Sequence, residues 1–184
     1  MVAFSSSVYG AAVQEILALR GDGLRPMELA PAGPYLKEAR EKLAGASARL
    51  FFGNSASPDG AMSGLWLYFG YLDEAHTIAQ SLETPDGSFW HGMMHRQEPD
   101  AFNSGYWFRR VGHHAVFPAL AEAARELGYP SATTWDPHAF IEYCEAARTR
   151  PGSAEETLAK QVQLAEWQLL FDHCARPLTK EGTR

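Results

Sequence analysis

His91 and His95 stand four residues apart in FWHGMMHRQ. On a helix they share one face, with Cβ atoms about 5–6 Å apart, a spacing at which two imidazoles can ligate one divalent metal. Glu98 follows one turn later, where Pro99 bends the chain. Upstream, His76 lies along one helix edge with Asp73 and Gln80, and Glu74 is close by. Two histidines completed by His76 and a carboxylate (Glu74 or Glu98) make a chemically sensible ligand set, so a divalent metal held by His91 and His95 is the candidate cofactor. The HxxxH string lacks the glutamate of HExxH, the carboxylate that activates a metal-bound water, so spacing alone does not specify a metal. The alternative is a set of histidines hydrogen-bonded to their neighbours under an aromatic lid.

The whole stretch Thr84 to His114 is unusual. It holds four of the seven histidines, together with Trp90 and Trp107. Arg96, Arg109 and Arg110 balance Asp86, Glu98 and Asp100, a pattern of an internally paired site more than of a steering patch. His76, His91, His95 and His114 are the candidate acid–base groups, because imidazole titrates near neutral pH. Glu74, Arg96, Glu98, Asp100, Asn103, Tyr106, Trp107, Arg109 and Arg110 are the candidate ligand-holding residues. An arginine there could grip a carboxylate or phosphate with its planar fork. Equally, Arg96 and one of the later pair could bridge Glu98 and Asp100 and tie two short helices together. No GxSxG, P-loop or GxGxxG motif occurs, and His173 beside Cys174 points a different way on a helix, so no nucleophile stands out.

Helix signals dominate the elements that must carry these groups. A first helix places Val13, Ile16, Leu17 and Arg20 on one face, after serines that could cap it. Pro34 can open a second, PYLKEAREKLAG, and ARLFFG reads as a short strand or a buried turn. Residues 61–72 are apolar nearly all round, which predicts one central helix over 61–82, with Leu65, Trp66, Phe69 and Leu72 buried. Ser88 can cap the His91 helix, Asp100 caps AFNSGYWFRRV before the Gly112 stop, and Pro118 sits in the first turn of PALAEAARELG. Asp136-Pro137 starts another helix, and Ser153-x-x-Glu156 is a capping box for the last. The prediction is an all-α fold: a single compact domain spanning 1–184, of about seven to nine helices around an apolar central helix, with 1–7 and 178–184 as frayed tails.

Composition agrees. The chain has 184 residues, 46% of them apolar and 21% charged, with a formal charge of −6. No basic stripe suggests nucleic acid, and no apolar run approaches the roughly 20 residues of a membrane span. The N-terminus does not read as a signal peptide, and Cys144 and Cys174 read as free, buried thiols, which together predict a cytoplasmic protein.

The string HGMMHRQEPDAFNSGYWFRRVGHHAVF resembles the central motif of a family of uncharacterised proteins, HxxMHRREPDxxNxxYWFRRVGxHPVF. The preceding LDEAHTIAQ and TPDGSFWH are similar to that family's LDESHxISQ and TPxGSxWH, so the likeness covers roughly residues 65–117. Gln97 and Ala115 depart from it, where arginine and proline are expected. The resemblance implies a place, not a reaction: His76, His91, His95, Glu98, Asp100, Asn103, Arg109, Arg110 and His114 fall on matching positions. The favoured expectation is a pocket for a small molecule, enzymatic or binding, with an anionic ligand suggested by the arginines. The competing expectations are an interaction module and a purely structural polar network.

Overall fold

The computed structural model describes residues 3–130 and 133–178. Among them the fold is all-α, one domain of ten helices after a short 3-10 turn at Ser6–Tyr9. The helices are α1 Ala11–Ala18, α2 Lys37–Ala44, α3 Ala48–Phe52, α4 Pro58–Tyr68, α5 Leu72–Ala79, α6 Pro85–Gln97, α7 Ala101–Val111, α8 Phe117–Glu126, α9 Pro137–Arg148 and α10 Ala154–Ala175. No described helix is long and apolar enough to cross a membrane.

The centre is α4, buried from Gly60 to Tyr68 on every side, as its all-round apolar sequence demands. The 22-residue α10 lies against it, and Trp167 Nε1 donates to the Gly64 carbonyl at 2.8 Å. Tyr68 and Trp167 stack with centroids 4.4 Å apart. The single helix expected over 61–82 is two. Gly70 takes φ +77, a left-handed conformation that breaks the helix, and the chain restarts at Leu72. Leu65, Trp66 and Phe69 are buried, whereas Leu72, on the new helix, is half-buried. This break, and ARLFF folding as α3 in place of a strand or turn, raise the count above the expected seven to nine.

Several starts also differ in detail. Gly10, not a serine, precedes α1, and α2 begins three residues after Pro34. Thr84 caps α6, its hydroxyl accepting from Gly87 N at 3.1 Å, so Ser88 lies inside the helix. Asp100, Asp136 and Ser153 cap α7, α9 and α10 as their types require. Phe4 packs on Tyr9 and Trp167, which ties residue 4 of the expected N-terminal tail to the core; residues 1–2 and 179–184 lie outside the described residues. Cys144 and Cys174 are buried and unpaired with each other.

Candidate metal centre

Two close approaches assemble the site. Helices α5 and α6 are joined by a short link whose last residue, Thr84, is already the cap, so α6 cannot leave the end of α5. Helices α6 and α7 lie against each other at Gly92, where an added Cβ would come within 2.8 Å of the Phe108 ring. Ser104 Oγ donates to the Gly92 carbonyl at 2.8 Å across the same contact. The three helices thereby carry His76, His91 and His95, and Trp107, to one place.

His76 and His91 have ring centroids 4.6 Å apart, His91 and His95 4.9 Å, and His76 and His95 5.6 Å. One nitrogen of each ring lies within 4.8 Å of one nitrogen of the other two. His91 is buried and its ring stacks on Trp107, centroids 3.8 Å apart; His76 and His95 are half-buried. The buried Nδ1 of His91 has no hydrogen-bond partner among the described residues. His95 Nδ1 is 3.0 Å from Glu98 Oε2, its nearest polar partner, and 4.0 Å from Asp100 Oδ2. Burial, aided by the neighbouring His76 and His95, pulls the His91 pKa down to about 3. Burial also lowers that of His95, against the opposing pull of Glu98 and Asp100. Both are therefore neutral imidazoles, the form that binds metals.

The remaining candidates separate. Glu74 turns to Arg40 at 2.9 Å and leaves the histidines, so Glu98 is the carboxylate at the trio. Asp100 accepts from Asn103 N at 3.0 Å and from Asn103 Nδ2 at 2.7 Å, which occupies Asn103. Arg110 lies 5.2 Å from the Trp107 ring centroid and contacts the Tyr106 hydroxyl. Arg96 is fully buried and pairs with Glu166 of α10, with Phe140 under its guanidinium at 4.6 Å. It bridges neither Glu98 nor Asp100, because it projects into the core. Arg109 lies elsewhere, on a cavity with His113 and His114.

His114 belongs to a second cluster, with Asp86 and His173. Val116 N–H donates to its Nδ1 at 3.2 Å, which leaves the proton on Nε2 to be donated to Asp86 at 2.9 Å. Both ring nitrogens are engaged, so His114 has no free lone pair for acid–base work in this arrangement. His173 completes the cluster, 3.3 Å from the same Asp86 oxygen. The two clusters thus contrast: in the second a carboxylate holds both imidazoles, whereas the first brings three imidazoles together and leaves the buried Nδ1 of His91 without a partner among the described residues. Glu166 and His173 were not legible as members of these networks, since both sit on the final helix, far along the chain. The chain matches no protein-family model, no curated protein and no solved structure.

Proposed function

We propose that the chain binds a divalent transition metal of the zinc class through His76, His91 and His95 and presents it to a small molecule. The observation that carries this reading is the trio itself: three imidazoles with ligand atoms within 4.8 Å, with the buried Nδ1 of His91 lacking a partner among the described residues. A purely structural network would satisfy that nitrogen, because a buried unsatisfied polar atom costs about 1–3 kcal/mol. Three nitrogen ligands suit zinc and its neighbours, and three protein ligands leave a position for water or a substrate oxygen, as catalytic zinc sites do. Glu98 beside His95 Nδ1 is placed to accept that ring's proton and fix its tautomer, leaving Nε2 for the metal. A bound metal would supply an activated water or a polarised carbonyl there.

The test is direct. Protein purified without chelators is assayed for metals by plasma mass spectrometry, and chelator-stripped protein is titrated with Zn²⁺ by calorimetry. We expect about one equivalent per chain, lost in His91→Ala and His95→Ala. No binding by wild-type protein would end the reading.

A second reading, a protein interaction surface, has one observation in its favour: Phe102 and Tyr106, one turn apart on α7, are 80% and 42% exposed. Self-association by light scattering that Phe102→Ser abolishes, with zinc binding absent, would favour it.

A further inference from the structure

Behind the last turn of α7 lies a second feature, independent of the imidazole trio. A cavity of about 660 Å³ opens between the end of α7, the start of α8 and the start of α9. Its volume is that of a site for a small organic molecule. Phe108, Phe117 and Trp135 form apolar, aromatic walls, and Arg109, His113 and His138 stand among them. No aspartate or glutamate is among the described residues that line it.

Arg109 is the informative residue. It makes no ion pair or hydrogen bond among the described residues, unlike Arg96, Arg148, Arg150 and Arg176, each of which pairs with a carboxylate. Neither the His113 nor the His138 side chain hydrogen-bonds to a described residue. Their placement is convergent. The point that a Cβ on Gly105 would occupy lies 3.6 Å from Arg109 Nη1 and 3.4 Å from His138 Nδ1, so the guanidinium and the imidazole share one patch of backbone. The nearby carboxylates are already engaged: Asp136 caps α9, accepting from His138 N and Ala139 N, and Asp86 holds His114 and His173. An aromatic-walled cavity with an unpaired, permanently charged fork at its edge suits an anion with an apolar body.

We infer that this cavity binds a small organic acid, with an aromatic body between Phe108, Phe117 and Trp135 and a carboxylate on Arg109, His138 adding a hydrogen bond. The carboxylate is favoured because the guanidinium offers two parallel donors that match its two oxygens.

The probes are benzoate, cinnamate and 1-naphthoate, each compared with its neutral amide, on the full chain. Binding is read by ligand-observed saturation-transfer NMR and by calorimetry. We expect at least one acid to bind saturably, its amide at least tenfold more weakly, and Arg109→Ala to reduce the acid to the level of the amide. Arg109 is exposed, so its replacement leaves the fold intact, which the circular dichroism melt checks; Arg109→Gln, which keeps the side-chain length, should lose the acid as well. His91→Ala should bind the acid like wild type, which separates this site from the metal centre. The inference is overturned if none of the acids binds, if acid and amide bind alike, or if Arg109→Ala and Arg109→Gln bind the acid unchanged.

Discussion

The imidazole of His91 lies face to face on the indole of Trp107, with centroids 3.8 Å apart and planes 15° from parallel. His95 is nearly parallel to the same imidazole, with planes 12° apart. The His91 imidazole is therefore packed nearly parallel to two other rings, which restricts its side chain.

Trp107→Ala should loosen His91 without removing any ligand. Water reaching the ring would raise the His91 pKa from about 3 toward its ordinary value near 6.5. We expect zinc affinity to fall roughly tenfold, the lower end of what supporting residues contribute, and stability to fall by about 1–3 kcal/mol because Trp107 is only partly buried. Imidazole NMR titration of the metal-free protein reads the first effect and urea denaturation the last. An unchanged His91 titration would show that the stack does not set its environment.

The trio's location was legible because the chain is local there. His91 and His95 share a helix, and the short link before α6 leaves His76 nowhere else to go. The helix break at Gly70 was not legible, since an apolar run continues through it and only the positive φ marks the turn. The arginines misled for a related reason. Arg96, Arg109 and Arg110 lie within one short stretch of sequence, yet helical geometry sends the first into the core, the second to a separate cavity and the third over Trp107. The partner that decides Arg96 is Glu166, seventy residues away, and no local pattern points to it.

Arg96 and Glu166 are both fully buried, and Gln163 Oε1 accepts from the same guanidinium at 3.4 Å. Removing one partner strands the other charge in the core. Arg96→Met and Glu166→Leu should each cost about 3–5 kcal/mol, whereas the double replacement Arg96→Met/Glu166→Leu should recover most of the loss. Chemical denaturation of the double-mutant cycle checks this. Additive losses would mean that the two charges do not depend on each other.

Cys144 and Cys174 are buried and free, and burial pushes both thiols up, Cys144 to about 11. A thiol reacts as its thiolate, so neither should react at neutral pH in the native protein. A thiol-specific dye should label no cysteine in native buffer and both in denaturant without reductant. Rapid native labelling of either would place that residue outside the core.

Asp86 joins α6 to α10 through His173 and to the turn before α8 through His114. Its hydrogen bonds to the two imidazoles hold its carboxyl below the ordinary value of 3.8, and the bond to Asp86 raises His173 above its ordinary 6.5. The signs fix a window. A depressed carboxylate contributes stability that is fully present above about pH 3.8 and lost as pH falls through its folded value. A raised imidazole contributes stability that is fully present below about pH 6.5 and lost as pH rises through its folded value. The network should therefore contribute most between about pH 4 and 6.5, and Asp86→Asn should remove that contribution. Urea midpoints of wild type and Asp86→Asn, measured from pH 3 to 9, should differ most inside the window, and the gap should narrow on both sides of it. A gap of constant size from pH 4 to 9 would mean that Asp86 acts by packing and not through the charge on His173.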